Sequence, residues 1–495
     1  MQEPIDLLVI GGGINGAGIA RDAAGRGLSV ELVEKDDLAS HTSSASTKLV
    51  HGGLRYLEQF EFRLVAESLR EREVLLANAP HIIWPLRFIL PHEPSMRPKW
   101  MLRIGLAIYD RLGGRKRLPG SKRVSFKAAP HRAILRDHLQ SGFEYSDCWV
   151  EDARLVVLTA MDAKERGARI STRTECVGLT RHADCWSAIV RGPQGDREVR
   201  AKVVVNAAGP WVDRVAKTAL GQGTPAHLRL VKGSHIIVPR SFAGEHAYIF
   251  QQADGRIVFA IPYERDFTLI GTTDLLYDGD LDHVAISAEE RTYLRRAVTQ
   301  YLKSGVTEED IVHTYSGVRP LYEDKAASNS TVTRDYVFEL ETKGGAPILS
   351  VYGGKITTYR KLAEHALAKL ARHLPVPGEA WTADAPLPGG DMPDADFARF
   401  LWDASQHYPW VPPEMLQRLA RAYGTRIETV LKGSSALDHL GTCFGGDLYE
   451  REVEYLIAQE FACTADDVLW RRSKLGLHLS AETQESLGRW FAARG

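Results

Sequence analysis

A glycine-rich turn between two strand-like segments near the N-terminus constrains the fold more than any other feature of this 495-residue sequence. The apolar run Ile5–Ile10 predicts a buried strand, which leads into a G-x-G-x-x-G pattern formed by Gly11, Gly13 and Gly16. A short helix and the second strand LSVELVE follow, and Glu34 stands at the tip of that strand, 18 residues after the last glycine. Together these features predict a βαβ unit for a dinucleotide. The glycines admit the pyrophosphate to the helix N-terminus, and the acid accepts a hydrogen bond from a ribose hydroxyl.

This fingerprint leaves both FAD and NAD open as the ligand. Two later segments also place small residues between a strand and a helix, which suits a backbone packed against a cofactor. The strand Val203–Val205 leads to Gly209, and a strand that ends at Tyr352 leads through a glycine pair to a long amphipathic helix. Taken singly, each is equally consistent with an ordinary strand-to-helix turn. A chain that returns to one ligand three times indicates a large cofactor bound lengthwise, with Gly354 and Thr357 among its contacts.

The rest of the chain divides into a strand-rich part and a helical part. Segments such as LRLVKGSHIIVP and RIVFAIPYERDFTLIGTTD predict a second, mixed sheet that is interleaved with the cofactor unit. After PLPGGDMPDAD the pattern becomes helical. We therefore predict a mixed α/β fold. A Rossmann-like cofactor domain and a mixed-sheet substrate domain share residues 1–385, and a helical C-terminal domain covers residues 386–495.

Composition excludes several classes of protein. A net charge of −1, from 62 Lys and Arg against 63 Asp and Glu, gives no indication of nucleic acid binding. The five cysteines include no C-x-x-C pair, which argues against a disulfide framework or a thiolate zinc site and fits a reducing compartment. We predict no metal site. We also expect no signal peptide and no bilayer-spanning helix, because glycines and charges interrupt every apolar run.

Nine motifs, in order along essentially the whole chain, point to one family. They are GGGINGAGIARDAAGRGL, SSASTKLVHGGLRYLE, FEYSDCWVEDARLV, NAAGPWVD, KGSHIIVP, GTTD, YSGVRPL, TRDY and GGKITTYRKLAEHAL. This set resembles the FAD-dependent glycerol-3-phosphate dehydrogenases of the aerobic, respiratory type. The resemblance implies a flavoprotein of the D-amino-acid-oxidase-like fold that oxidises sn-glycerol 3-phosphate to dihydroxyacetone phosphate and passes the electrons to membrane quinone. It also implies a cytoplasmic homodimer, bound peripherally to the inner face of the cell membrane.

The stretch HTSSASTKLVHGGLRYLE combines many hydrogen-bond donors with a flexible backbone. It follows the second strand of the cofactor unit, so we expect it to pass along the flavin. Ser43, Ser44 and Lys48 offer donors to the pyrophosphate or the ring edge, and Gly52 and Gly53 let the backbone approach the isoalloxazine. The alternative is a basic surface loop solvated by water.

The substrate implied by the resemblance is a small dianion, which requires guanidinium and hydroxyl donors. We expect Arg55 and Tyr56 to project into its pocket, with Arg55 and Arg334 on the phosphate. Arg319 and Lys355 are expected near the reacting carbon and the flavin, where a cation stabilises the reduced anionic ring. Arg334 precedes an aspartate, and a plain surface ion pair accounts for it equally well.

Oxidation of a secondary alcohol requires a base for the hydroxyl proton, and histidine is the usual one. His235 follows a glycine turn and precedes a buried strand, and the resemblance favours it over a structural role. His51, in the flavin-side loop, is the competing candidate. The alternative enzyme is a related FAD-dependent oxidase that uses oxygen on an α-hydroxy acid or an amine, although the cluster of cations disfavours an amine. A third interpretation is a flavin-binding assembly or membrane-anchoring protein without activity.

Residues 97–127 concentrate positive charge, with ten basic residues against one acid for a net charge of +9. Apolar residues recur at helical spacing from Trp100 to Leu112, although Gly105 weakens the helix prediction. A basic amphipathic helix with an aromatic edge is typical of a membrane-surface element. We therefore predict binding to an anionic membrane surface, and the alternative is a basic face packed on the protein's own core.

Overall fold

The computed structural model describes residues 3–94, 96–114, 117–221, 227–323 and 335–494. The strands within these ranges are β1 (Ile5–Ile10), β2 (Val30–Val33), β3 (Leu49–Val50), β4 (Ile83–Pro91), β5 (Lys122–Ser125), β6 (Ser141–Val150), β7 (Arg169–Ser171), β8 (Glu175–Arg181), β9 (Trp186–Gly192), β10 (Gly195–Asn206), β11 (Leu228–Pro239), β12 (Ala247–Gln251), β13 (Ile257–Tyr263), β14 (Phe267–Gly271), β15 (Leu275–Leu276), β16 (His313–Tyr322), β17 (Val337–Glu341), β18 (Ile348–Tyr352), β19 (Cys443–Gly445) and β20 (Leu448–Tyr449). The helices are α1 (Ile14–Gly25), α2 (Phe62–Asn78), α3 (Lys99–Leu112), α4 (His131–Ile134), α5 (Asp152–Glu165), α6 (Val212–Leu220), α7 (Ala288–Thr299), α8 (Tyr359–Leu370), α9 (Phe397–His407), α10 (Pro413–Tyr423), α11 (Ile427–Val430), α12 (Glu450–Glu460) and α13 (Ala481–Ala492).

The first sheet forms the predicted dinucleotide unit. Its main path has the strand order β17-β18-β10-β1-β2-β7, and all neighbours except β17 and β18 pair in parallel. Strands β8 and β9 extend it as an antiparallel pair beside β10. Helix α1 packs between α5 and α8 on one face. Parallel strands covered by helices are buried on both faces, which explains the continuous apolar runs of β1 and β10.

The second sheet is mixed and has ten strands, with the main order β15-β11-β14-β13-β12-β4-β6-β3. Strand β16 pairs antiparallel with β11, and β5 pairs with β6. Its strands come from segments on both sides of β10 in the sequence, so the two sheets are interleaved along the chain. The predicted mixed α/β class with an interleaved second sheet is confirmed.

Helices α9 to α13 form a third unit with an apolar core of its own. It also contains the short hairpin of β19 and β20. Buried ion pairs join this unit to the cofactor domain. Arg154 at the start of α5 pairs with Glu460, and the Nη2 of Arg472 donates to Asp37 Oδ1 at 2.8 Å. These ion pairs therefore hold the helical C-terminal unit against the predicted cofactor domain.

The basic segment is only partly helical. Helix α3 agrees with the predicted amphipathic stretch, and it runs through Gly105 without a break. Lys122–Ser125 instead forms β5, because pairing with β6 satisfies its backbone there. Arg115 and Lys116 lie outside the described residues. Across the described ranges, every helix is too short or too polar to cross a bilayer.

Candidate active site

A cavity of about 340 Å³ opens at the carboxyl ends of β1 and β2. Ligands of open parallel sheets bind at this edge. Its walls come from the glycine turn, the loop after β2, strand β8 and the turn between β10 and α6. They include Gly11, Gly13, Glu34, Ser43, Gly209 and Trp211. The predicted cofactor residues Gly11, Gly13, Glu34, Ser43 and Gly209 therefore line one cavity, and Gly16 is not among its lining residues.

Two glycines of the fingerprint are required by the fold itself. Gly11 has a φ of +113°, and a Cβ on it would lie 2.5 Å from the carbonyl oxygen of Ala207. A Cβ on Gly16 would lie 1.9 Å from the carbonyl oxygen of Gly11. Any side chain at either position would push β1, α1 and β10 apart and deform the wall of the cavity.

The predicted ribose acceptor, Glu34, is buried beside this cavity. Its Oε2 accepts a hydrogen bond from the N–H of Gly12 at 2.6 Å, and its Oε1 accepts one from the N–H of Asp36 at 2.9 Å. Burial raises the pKa of the Glu34 carboxyl, and the two N–H donors oppose that rise. Glu34, Asp36 and His41 form a group that could hold a metal ion, because their possible ligand atoms lie within 4.8 Å of one another. Asp36 already pairs with His41 at 2.7 Å, and Glu34 is held by backbone donors.

The loop after β2 caps the N-terminus of α1. Ser43 Oγ accepts a hydrogen bond from the N–H of Ile14 at 3.0 Å, while Ser44 Oγ donates to the carbonyl of His41 at 3.3 Å. Trp211 closes the opposite side, with its ring 4.6 Å from that of His41. Ser43 thus stands at the helix N-terminus, where a pyrophosphate is most strongly attracted.

Lys48 has protein partners that the sequence did not reveal. Its Nζ donates to Asp152 Oδ1 at 2.7 Å and to the carbonyl of Ser44 at 3.1 Å, and it lies 5.1 Å from the ring centroid of Tyr315. Lys48 and Asp152 are 1% and 0% exposed, so the pair is fully internal. Lys48 fixes the loop that carries the candidate site, and its contact with the cofactor stays a prediction.

The candidate base, His235, lies on β11, opposite Gly271 of β14 and Tyr315 of β16. Its Nε2 lies 3.0 Å from the hydroxyl oxygen of Thr47, and its ring stacks on Tyr315 with centroids 4.7 Å apart. A Cβ at Gly271 would lie 1.9 Å from the imidazole ring. The imidazole is therefore held between a glycine, an aromatic ring and a hydroxyl.

Burial lowers the pKa of His235 well below its ordinary value, and the charges of Lys48 and Arg319 lower it further. This shift favours the neutral imidazole over the protonated form. Among the described residues, its buried Nδ1 has no hydrogen-bond partner. Arg319, on β16, donates from Nη2 to the Thr272 hydroxyl at 3.3 Å, and its Nη1 lies 3.4 Å from Asp274 Oδ1. One predicted cation thus lies beside the candidate base.

A second group of predicted residues surrounds the 3₁₀ turn Leu54–Gln59. The Nζ of Lys355 lies 4.0 Å from the ring centroid of Tyr56. Arg55 is half-buried in the same turn. Gly53 precedes the turn with a φ of +74°, and a Cβ there would lie 2.4 Å from the Tyr56 ring. The structure therefore brings Arg55, Tyr56 and Lys355 into one neighbourhood.

The glycine and threonine positions around this turn connect it to the core. The N–H of Gly52 donates to the Tyr109 hydroxyl at 2.8 Å, and a Cβ at Gly52 would lie 2.6 Å from Leu69. The Thr357 hydroxyl accepts a hydrogen bond from the N–H of His51 at 3.2 Å. Thr357 lies three residues after Gly354, whose φ is +97°. Packing alone explains a glycine at position 52, so a flavin contact there stays a prediction.

The sequence analysis missed some residues of the site, and the structure does not describe one residue that was predicted. Arg334 lies outside the described residues, so its phosphate contact stays a prediction. Thr47, Thr272 and Tyr315 stand inside the motifs that carry the resemblance, yet no role was predicted for them. Each of these residues contacts a partner that is distant in the sequence. Only its position inside one of the motifs could therefore have indicated a role.

Comparison with known families identifies the ligand of this architecture. The FAD dependent oxidoreductase profile matches residues 6–360, and the profile of the C-terminal domain of alpha-glycerophosphate oxidase matches residues 380–492. The chain belongs to the FAD dependent oxidoreductase family. Its cofactor is FAD, as predicted, and the resemblance to the FAD-dependent glycerol-3-phosphate dehydrogenases is confirmed.

The relatives of this FAD-dependent oxidoreductase extend over its full length. It is 53% identical over 493 residues to the glycerol-3-phosphate dehydrogenase of Pseudomonas aeruginosa, covering 99% of this chain and 96% of that one. It is 52% identical over 495 residues to the D-erythritol 1-phosphate dehydrogenase of Brucella abortus, covering 99% of both. The crystal structure of the glycerol-3-phosphate dehydrogenase from Bacillus halodurans complexed with FAD superposes with a TM-score of 0.79 at 29% identity. That match covers 100% of this chain and 91% of the other.

The residues present fit FAD. Two glycines leave no room for a side chain at the cavity wall, Glu34 is fixed at its rim, and Ser43 stands at the N-terminus of α1. In this FAD-dependent oxidoreductase, the residues at this edge of the first sheet would hold the dinucleotide part of the cofactor. The residues around His235 and around Lys355 lie outside this cavity wall, and their roles stay predictions.

Proposed function

We propose that this chain oxidises sn-glycerol 3-phosphate to dihydroxyacetone phosphate and passes the electrons to membrane quinone. The observation that carries the proposal is identity of about one half, over the full length, to a glycerol-3-phosphate dehydrogenase. A neutral buried histidine beside a cluster of cations supports it, because the reaction needs a base and a grip on a dianion.

Each predicted residue has a role in this reaction. FAD, when bound, supplies the acceptor for the hydride that leaves the substrate carbon. Arg55 and Arg334 bind the phosphate. Arg319 and Lys355 hold positive charge beside the reacting carbon and the flavin. His235 accepts the hydroxyl proton, and the contact between its Nε2 and the Thr47 hydroxyl orients the ring.

The membrane part of the proposal rests on an exposed apolar patch, defined by Phe60 and Phe62 with the outer face of α3. On α3 the exposed side chains include Trp100 at 63% and Ile104 at 52%, and Phe60 is 79% exposed. The two phenylalanines lie next to the turn that carries Arg55, and this turn contacts α3. An exposed apolar patch with basic neighbours can bind the surface of an anionic membrane leaflet, because the apolar side chains insert and the basic ones are attracted to the lipid headgroups. Membrane quinone is available there. We further propose a homodimer bound peripherally to the inner face of the cell membrane.

Anaerobic mixing of the purified holoenzyme with glycerol 3-phosphate tests the reaction. The proposal requires the flavin absorbance to bleach and then to return on addition of a quinone analogue. Persistence of oxidised flavin at saturating substrate would refute it. Recovery only with oxygen, together with hydrogen peroxide, would instead identify an oxidase.

A second substrate is favoured by one comparison. The relative from Brucella abortus, at 52% identity, is a D-erythritol 1-phosphate dehydrogenase, and that substrate is a phosphorylated polyol one carbon longer. The ratio of kcat/KM for the two substrates decides between them. We expect glycerol 3-phosphate to be preferred, and the opposite ratio would assign the chain to the four-carbon substrate.

A further inference from the structure

Helix α7 covers the face of the second sheet that lies opposite the candidate base. It packs against β11, β13 and β14. His235 on β11 and Tyr315 on β16 are register partners, so their side chains share one face of the sheet. Their chain neighbours Ser234 and Ser316 are also register partners, and their side chains point to the other face. The strands that carry the site are therefore accessible to α7 from behind.

Glu290, in the first turn of α7, is the residue that contacts these strands through hydrogen bonds. It is 2% exposed. Its Oε1 accepts from Ser234 Oγ at 2.8 Å and from Thr273 Oγ1 at 2.6 Å. Its Oε2 accepts from the N–H of Ser287 at 2.9 Å and pairs with Lys232 Nζ at 2.9 Å. One buried carboxylate thus ties α7 to β11 and to the residues that follow β14.

The carboxyl of Glu290 is held in its ionised form. Burial raises its pKa, but the donors around it outweigh burial and place the pKa below its ordinary value. Hydrogen bonds to an ionised carboxylate are stronger than those between neutral groups. An amide at this position would keep a single acceptor oxygen, so two of the four donors would meet an NH₂ group.

Two of the donors to Glu290 are chain neighbours of site residues. Ser234 precedes His235 in β11. Thr273 follows Thr272, whose hydroxyl accepts a hydrogen bond from Arg319 Nη2 at 3.3 Å. The anchored residues and the site residues therefore alternate along the same two segments, and a displacement of one moves the other.

A further hydroxyl extends the anchored group to β16. Ser234 Oγ lies 2.8 Å from Ser316 Oγ, and the N–H of Ser234 donates to Thr273 Oγ1 at 2.9 Å. Ser316 follows Tyr315, the ring on which His235 stacks. Three segments of the site are thus joined behind the sheet through hydroxyls that meet at one carboxylate.

The front of the sheet leaves little tolerance for movement of these segments. A Cβ at Gly233 would lie 2.7 Å from the Thr272 hydroxyl oxygen and 2.8 Å from Arg319 Nη2. The threonine and the guanidinium therefore pack directly on the backbone of β11. A shift of β11 against the segment after β14 would change both contacts.

We propose that Glu290 is a positioning residue of the active site that acts through the sheet from α7. It fixes the separation of the segments that carry His235, Thr272 and Arg319. This inference rests on the function proposed above. Glu290 does not touch the substrate, and its effect is on the alignment of the groups that do.

The substitution Glu290→Gln tests the inference in the full-length holoenzyme by stopped-flow reduction with glycerol 3-phosphate. We expect the limiting rate of flavin reduction to fall about 10- to 100-fold, as for a misplacement of reacting groups by about 1 Å. The dissociation constant of the substrate should change much less, because Arg55 lies in the turn Leu54–Gln59 and not on these strands. Glu289→Gln is the matched control, since this exposed neighbour stands in the same helical turn.

A double-mutant cycle with Thr273→Val separates alignment from general stability. Valine keeps the shape of the side chain and removes the hydroxyl that donates to Glu290. We expect Thr273→Val alone to lower the limiting rate and to have little further effect in the Glu290→Gln background. Non-additivity of this kind is the signature of two residues that act through one contact.

The outcomes distinguish the inference from the function on which it rests. A wild-type limiting rate in Glu290→Gln would overturn the inference, and so would strictly additive effects in the cycle. A loss of FAD in proportion to the loss of rate would also overturn it, because Glu290 would then maintain the fold and not the site. If glycerol 3-phosphate does not reduce the wild-type flavin at all, it is the proposed function that fails.

Discussion

The Nε2 of His235 lies 3.0 Å from the hydroxyl oxygen of Thr47, although the two residues are 188 positions apart in the chain. The hydroxyl comes from the loop along the cofactor domain, and the imidazole comes from the substrate sheet. This contact joins the two interleaved domains beside the candidate base. The imidazole of this candidate base is therefore oriented by the packing of the two domains and not by its own strand alone.

Replacing His235 with asparagine is expected to lower the rate of flavin reduction by about 10²–10⁴-fold, the usual contribution of a general base. The pKa of His235 is lowered by burial, so the neutral, active form persists below pH 6.5 and is lost only as the pH falls through that lowered value. Stopped-flow reduction between pH 5 and 9 measures both effects. FAD content should stay at the wild-type level, because His235 lies on the substrate sheet.

His51→Ala is the paired experiment for this assignment. The N–H of His51 donates to Thr357, a contact made by the backbone that survives the substitution. We therefore expect a modest change in rate and an intact acid limb. If His51→Ala removes the limb while His235→Asn retains it, His51 is the base.

Arg55→Ala is expected to raise the KM for glycerol 3-phosphate by about 10- to 100-fold. A charge-assisted hydrogen bond to a dianion contributes roughly 1.5–3 kcal/mol. Arg63→Ala is the matched control, since Arg63 lies nearby in the chain, is 88% exposed and forms a 3.7 Å surface ion pair. Steady-state kinetics on both variants would contradict a phosphate role if their KM values rose equally.

Gly11→Ala is expected to abolish FAD binding, because the new Cβ would lie 2.5 Å from the carbonyl oxygen of Ala207 at a φ of +113°. Gly105→Ala is the control, since a Cβ there meets nothing within 4 Å and alanine favours the helix. The absorbance ratio of bound flavin to protein after gel filtration measures the outcome. Retention of full FAD by Gly11→Ala would show that β10 can move aside.

The cofactor unit could be predicted because its signals are local. The strand Ile5–Ile10 and the glycines after it follow from apolar runs and turn chemistry within 30 residues, and the structure has the same strand bounds. The amphipathic helix α3 was likewise predicted from its spacing. In contrast, Lys122–Ser125 forms a strand only because β6 lies beside it. No strand was predicted there, because the pairing depends on β6, which lies farther along the chain.

The candidate site was only partly predictable for the same reason. Lys48 looked like a cofactor donor, and its ion pair with Asp152 spans 104 positions that no periodicity connects. The burial of a charge is a property of the folded chain, since it depends on which distant elements pack around the group.

Glu460→Ala is expected to destabilise the chain by about 3–5 kcal/mol, because it leaves Arg154 buried without a counter-charge. The side chains of Arg154 and Glu460 are 4% and 0% exposed. Replacing both with methionine should recover most of that loss, since two apolar groups need no compensation. Urea unfolding followed by circular dichroism measures the difference. A single variant as stable as the wild type would mean that water reaches Arg154.

The apolar face of α3 offers the sharpest test of membrane binding. Trp100 is 63% exposed on a helix with basic neighbours, and Trp402 is also 63% exposed but lies on α9 of the C-terminal domain. Because an interfacial helix binds through buried apolar area, Trp100→Ser combined with Ile104→Ser should abolish flotation with anionic liposomes. Trp402→Ser should float like the wild type. The α3 variant should lose turnover with a membrane quinone and keep it with a soluble dye acceptor, because its flavin site is intact. Flotation of the α3 variant at the wild-type level would place the anchor elsewhere on the chain.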